Sequence, residues 1–216
     1  LDNPMGIALV GRRICVAQST RAAVSLFDLN GKLLREFELP PADGARIAAP
    51  AALAPVGMTR VACVDAAARR VVVMRVAGIG RKGVLFTLGE GDASTAPVQP
   101  WGVAYGSGVY YVADGATRTI EMYDRAGVYI GRLRGGDALP VEAPSGLAYA
   151  GDRLVVSDSA NGRVALVALA DDVPDVIDSA AYALPRAVAA LPDGYAVADV
   201  LGRAVYVSTD TAARTH

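Results

Sequence analysis

Four aspartates recur along the chain at similar intervals: Asp65, Asp114, Asp158 and Asp199. Each is followed four or five positions later by an arginine: Arg69, Arg118, Arg163 and Arg203. Carboxylates gathered in a ring could hold a divalent ion or do acid–base work. The alternative is structural: each acid ends an apolar run and opens a turn, where a carboxylate accepts backbone N–H groups and a guanidinium braces it. Catalysis needs dissimilar groups converging on one place, whereas a group copied at a fixed interval suits a scaffold. The structural reading is therefore preferred, with no catalytic residue, metal site or cofactor assigned.

Other chemistry-bearing residues are sparse. His216 is the only histidine and ends the chain, so no Ser-His-Asp arrangement is expected. The glutamates are Glu36, Glu38, Glu90, Glu121 and Glu142, and none falls where an inner strand would face a channel. Gly78-Ile79-Gly80-Arg81-Lys82-Gly83 satisfies G-x-G-x-x-G literally. A dinucleotide fingerprint must open a helix, and here Val84-Leu85-Phe86-Thr87-Leu88 reads as a strand, so a hairpin loop is expected. Cys15 and Cys63 lie one position out of register on equivalent strands, which points them to opposite faces of their sheets. They are read as small buried hydrophobes rather than a disulfide.

The elements that must position these residues repeat five times. Pro4-Met5-Gly6-Ile7-Ala8, Pro50 to Ala54, Pro100-Trp101-Gly102-Val103-Ala104, Pro144-Ser145-Gly146-Leu147-Ala148 and Pro185 to Ala189 each lead, after a turn, into a second apolar run. The second runs end at Gln18, Asp65, Asp114, Asp158 and Asp199. From proline to proline the spacings are 46, 50, 44 and 41 residues. A third β-branched run follows in every unit, as in Val71-Val72-Val73-Met74 or Val205-Tyr206-Val207. Fourth runs follow turns such as Asn30-Gly31: Leu33 to Leu39, Gly83 to Leu88, Tyr129 to Leu133 and Val173 to Ala181. Four strands per unit of about 40–45 residues is the arithmetic of a β-propeller blade. The expected fold is all-β: four-stranded antiparallel blades in one domain over residues 1–216.

Composition agrees. Hydrophobic residues make up 53%, ample for a large core, and mean hydropathy is +0.33. Net charge is −1, which gives no support for a phosphate-binding surface. No apolar run approaches the ~18 residues of a membrane helix. Leu1-Asp2-Asn3-Pro4 does not read as a signal peptide, although one could already have been removed.

In these motifs the chain resembles the NHL-repeat propellers, whose blades open with Pro-x-Gly-apolar-Ala and whose second strand ends in apolar-Ala-Asp. Repeat 3 carries the pattern nearly throughout: Pro100, Gly102, Ala104, Val112-Ala113-Asp114, Arg118, Tyr123-Asp124 and Gly127. Repeat 1 has Gln18 in place of the acid, and repeat 5 stops early. Propellers of this family usually have six blades, so the resemblance leaves three arrangements: a five-bladed ring, a ring with one blade absent, or a ring completed by other sequence. It also implies an exported or cell-envelope location. Related lyases use a His-rich metal site, for which the histidines are lacking, and lactonase-type relatives use carboxylates and Asn around a divalent ion.

Propeller geometry puts the crossings between units and the turns from second to third strand on one face. The residue after each opening proline then belongs at the channel mouth: Met5, Ala51, Trp101, Ser145 and Arg186. These are chemically dissimilar, as expected where the scaffold leaves side chains free. Met5, Trp101, Ser145 and Arg186 form the expected binding rim, surrounded by Arg21, Arg69, Arg70, Arg118, Arg163 and Arg203. Trp and Arg are the types most enriched in binding hot spots. The expected function is a non-catalytic protein-binding scaffold, with a partner pairing at the open edge of the last blade. The alternatives are a lyase- or lactonase-like enzyme with an ion at the channel mouth, and an RNA-binding propeller. Single-strand binding wants a basic groove and several stacking platforms, and the near-neutral charge counts against it.

Overall fold

A computed structural model of the chain describes residues 1–42, 48–133, 141–169 and 182–209. Its first blade is β1 (Pro4–Val10), β2 (Arg13–Gln18), β3 (Ala23–Phe27) and β4 (Leu33–Glu38). The second is β5 (Pro50–Val56), β6 (Arg60–Asp65), β7 (Arg70–Arg75) and β8 (Gly83–Thr87). The third is β9 (Pro100–Gly106), β10 (Val109–Asp114), β11 (Thr119–Asp124) and β12 (Tyr129–Arg132). The fourth contributes β13 (Pro144–Tyr149), β14 (Arg153–Asp158) and β15 (Arg163–Ala168), and the fifth β16 (Pro185–Leu191), β17 (Gly194–Asp199) and β18 (Ala204–Thr209). Each blade is an antiparallel meander in chain order, and the described residues contain no helix. The expected β-propeller is therefore the observed fold, with five blades. The fourth strand expected at Val173 to Ala181 lies outside the described residues, as does His216.

Local chemistry explains the meanders. Asp28 Oδ1 accepts the N–H groups of Asn30 and Lys32, both at 2.9 Å, and Asp124 Oδ1 accepts those of Ala126 and Val128 at 2.8 and 2.9 Å. These Asx turns close the β3–β4 and β11–β12 hairpins, with Gly31 and Gly127 in the left-handed region that glycine adopts without strain. Gly78 to Lys82 is the loop between β7 and β8, and a strand follows it.

The core lies between blades rather than within them. Consecutive inner strands pack side by side, β1 on β5, β5 on β9, β9 on β13 and β13 on β16. A Cβ on Gly102 would lie 2.5 Å from the Ser145 carbonyl oxygen, so the bare glycine is what lets blade 3 approach blade 4. Because the sheet of blade 2 is covered on both sides, by blades 1 and 3, Val71, Val72, Val73 and Met74 are all fully buried. Cys15 and Cys63 point to opposite faces of their own sheets. Those two faces meet, so both free thiols are buried in the layer between blades 1 and 2. Burial there pushes the Cys15 thiol up to about 12 and Cys63 higher still.

The seam differs. β1 and β16 are not packed on each other as the other consecutive inner strands are. Ile7 and Leu9 on β1 are 70% and 58% exposed, and Val205 and Val207 on β18 are 71% and 64% exposed.

Candidate functional site

The site is built on a fault repeated in every inner strand. Pairing between the first and second strands slips just after each opening proline, between Pro4 and Gly6, Pro50 and Leu53, Pro100 and Gly102, Pro144 and Leu147, and Pro185 and Ala187. The residue after the proline has no partner in the ladder. Such bulges free a side chain to point away from the sheet. Met5, Ala51, Trp101, Ser145 and Arg186 are these residues.

The repeat acids hold the bulges in place. Asp114 is fully buried, and its carboxylate accepts four backbone N–H groups. Val98 and Gln99, just before Pro100, donate at 2.6 and 3.1 Å, and Ala116 and Thr117 in the following turn donate at 3.0 and 3.2 Å. Asp65 takes Ala49 N–H at 2.8 Å, Asp158 takes Ala143 N–H at 3.0 Å, and Asp199 takes Ala183 and Leu184 N–H at 2.7 and 2.8 Å. Gln18, standing where repeat 1 lacks the acid, accepts Asp2 N–H through Oε1 at 2.7 Å. A backbone bond runs alongside each clamp, from the residue after the acid to the carbonyl before the proline, as in Gly115 N–H to Gln99 O at 2.9 Å. Burial alone would raise the Asp199 pKa; hydrogen bonds from Gly202, Ala183, Leu184 and Leu201 N–H outweigh it and hold the carboxyl below its usual range.

The arginines divide by spacing, which sequence reading did not anticipate. Those five residues after the acid begin the third strand directly opposite it. Arg70 Nε lies 3.1 Å from Asp65 Oδ2, and Arg163 Nε lies 3.3 Å from Asp158 Oδ2. Arg69, Arg118 and Arg203, four residues after the acid, have φ of 52°, 57° and 50°. They occupy the left-handed position of the turn, exposed and in no described ion pair, so bracing by Arg69, Arg118 and Arg203 is corrected. Arg21 is tied elsewhere, to Asp2 at 3.5 Å and Glu36 at 3.3 Å. The expected arginine ring is thus two groups, three anchored to acids and three free at turn tips.

Three of the four expected rim residues come together. A cleft of about 300 Å³ is lined by Trp101, Gly115, Ser145, Ser159, Leu184 and Arg186, drawn from blades 3, 4 and 5. Arg186 Cζ lies 5.6 Å from the centroid of the Trp101 ring, a cation–π stack that spans blade 4. Trp101 is 41% exposed. Beneath the stack, Ser145 Oγ lies 2.6 Å from Ser159 Oγ and 2.9 Å from Ser157 Oγ, while Ser159 Oγ donates to the Pro185 carbonyl at 2.6 Å. This hydroxyl chain stitches the cleft floor across blades 4 and 5. Met5, on blade 1, stands apart: it is exposed and does not line the cleft.

Gly115, Ser159 and Leu184 were missed from sequence. A Cβ at Gly115 would overlap the Trp101 indole, so this glycine makes the shelf on which the ring lies. The signal was available: Gly115 and Ser159 follow the repeat acids, and Leu184 precedes Pro185. Among the described residues, no group of three or more His, Cys, Asp or Glu side chains comes together as a metal site would require.

No protein-family model matches the chain, and no curated protein matches it in sequence. Its solved structural neighbours are β-propellers. A streptogramin B lyase is 15% identical with a TM-score of 0.69, over 97% of this chain and 66% of that one. The nidogen/laminin complex is 16% identical with a TM-score of 0.75, over 95% and 75%. A catalytically inactive virginiamycin B lyase from Staphylococcus aureus with quinupristin is 14% identical with a TM-score of 0.64, over 90% and 62%. The likeness is one of fold. The chain spans just under two thirds of each lyase and three quarters of the nidogen/laminin match.

Proposed function

We propose that residues 1–216 form one NHL-like propeller unit that acts as a non-catalytic protein-binding scaffold within a larger assembly. The observation that carries this reading is the Trp101–Arg186 stack over a cleft assembled from bulge residues of separate blades. A half-exposed indole and an arginine without a described acid partner, fixed on a rigid floor, are the composition of a hot spot. Arg69, Arg118 and Arg203 stand on the strand-connecting turns beside the repeat acids and supply a rim for a partner's polar groups. Nidogen with laminin is a protein-binding use of a similar fold. β18, whose only described strand neighbour is β17, offers the partner an edge for strand pairing.

The test begins with ligands selected from a displayed library of natural protein fragments and measured by calorimetry. Trp101→Ala is expected to weaken the selected ligand about 30-fold, near 2 kcal/mol, with an unchanged unfolding transition. Equal affinity of the variant would overturn the assignment. A stoichiometric divalent cation in the purified protein would favour the lyase or lactonase alternative instead. Steeply salt-dependent binding of single-stranded RNA would favour the nucleic-acid one.

A further inference from the structure

The two faces that border the seam are made of core residues. On blade 5 the face turned away from blade 4 carries Ala187 and Ala189 on β16, Ala196 and Ala198 on β17, and Val205 and Val207 on β18. They are aligned across the sheet as Ala187↔Ala198, Ala189↔Ala196, Ala198↔Val205 and Ala196↔Val207. Blade 2 has nearly the same face at the same register: Ala52 and Ala54 on β5, Ala62 and Val64 on β6, Val71 and Val73 on β7. In blade 2 that face is closed. Val64, Val71 and Val73 are fully buried, covered by Val103, Tyr110, Val112 and Tyr123 of blade 3. In blade 5 the equivalent valines are open, while Tyr206, between them on the other face, packs edge-on at 5.3 Å against Tyr182 and is still 44% exposed. On blade 1 the open face carries Ile7, Leu9 and Ile14, and the residue equivalent to Ile14 in the other blades is Val61, Tyr110, Leu154 or Tyr195, each at most 2% exposed.

Solvent does not call for an alanine–valine sheet face opposite an isoleucine–leucine one. An exposed apolar patch of this kind marks an interaction surface. We infer that the seam between blade 5 and blade 1 takes one or two further propeller blades of the same repeat, the first presenting a tyrosine- and valine-rich face like that of blade 3 to Val205 and Val207. The lengths of the structural neighbours support blades as the occupant. The shares of the streptogramin B lyase and nidogen/laminin chains left uncovered, a third and a quarter, amount to roughly two blades at the repeat length here. A second copy is the poorer occupant. It would join head to tail, bring five more blades, and continue as an open spiral.

The experiment uses thiol labelling, for which Cys15 and Cys63 are silent because both are fully buried. Ile7→Cys and Val207→Cys are made separately in the 216-residue chain and in a chain extended after His216 by a second copy of residues 90–133, which spell blade 3 and its approach. Both thiols are expected to react rapidly with a maleimide in the 216-residue chain at every protein concentration. In the extended chain the Val207→Cys thiol is expected to slow by at least about tenfold. Replacing the added copy's counterpart of Tyr110 with Lys is expected to restore the fast rate. Protection of Ile7→Cys in the same chain means that one blade closes the ring, and its absence means that the gap holds more than one. Should the extension fail to unfold cooperatively, the same copy is placed before Leu1, and Ile7→Cys becomes the protected thiol. Fast labelling of the adjoining thiol in a folded extended chain overturns the inference. Protection that grows with concentration in the 216-residue chain also overturns it, in favour of a second copy.

Discussion

At the scale of single residues, the repeat acids are worth more than their chemistry first suggests. Asp114 spends its whole charge on four N–H groups, two of which belong to the segment delivering Pro100 and Trp101. Asp114→Ala is expected to cost about 3 kcal/mol in chemical denaturation, because buried donors lose a charged acceptor. Arg118→Ala, removing an exposed side chain in no described ion pair, is expected to change stability by less than about 0.5 kcal/mol. Comparable losses from the two would refute the division of the arginines. Asp199 gives a pH signature. Its folded pKa lies below the usual carboxylate value, so its contribution is complete above that value and is lost as pH falls through the lower one. Thermal midpoints of the native chain should therefore fall on acidification below about pH 4, and Asp199→Asn should flatten that limb. Parallel curves would contradict it. The acids and their role as backbone acceptors were legible in sequence, because they recur in phase at the ends of apolar runs. The arginine split was not: a one-residue difference in spacing decides between a strand register and a left-handed turn.

At the scale of elements, legibility was high where local chemistry acts alone. Asn30-Gly31 and Asp124 to Gly127 announce their hairpins, and β-branched runs announce the strands between them. The expected fourth strands beginning at Leu33, Gly83 and Tyr129 all start at those residues in the structure. The bulge after each proline was less visible. Proline lacks an N–H and within sheets favours strand starts, edges and bulges, but the sequence alone does not say that the following residue leaves the ladder. Its chemical variety from repeat to repeat was the only hint. That hint was enough to group Trp101, Ser145 and Arg186, and insufficient to show that Met5 stands apart from their cleft.

At the scale of the whole molecule, the arrangement of blades was legible and its closure was not. β7 and β18 are both short valine-rich runs, Val71-Val72-Val73 and Val205-Tyr206-Val207. One is buried on both faces; the other leaves Val205 and Val207 bare on one face and Tyr206 44% exposed on the other. Composition records that a face is fit for burial; only the neighbour decides whether it is buried. The clamps, by contrast, operate blade by blade. Losing Trp101 should therefore leave the cooperative transition untouched, which is why Trp101→Ala separates recognition from folding in the binding measurement.

The slipped register after each proline carries one last implication. Whereas the Ser145 hydroxyl is itself part of the bonded cleft floor, four side chains, at positions 5, 51, 101 and 186, stand on bulges clamped by hydrogen bonds of other residues. Their identities can drift without disturbing the framework, so the rim is a retargetable surface. Randomising those codons alone should yield well-folded variants with new tastes, whereas the same freedom granted to the aspartates should yield few that fold.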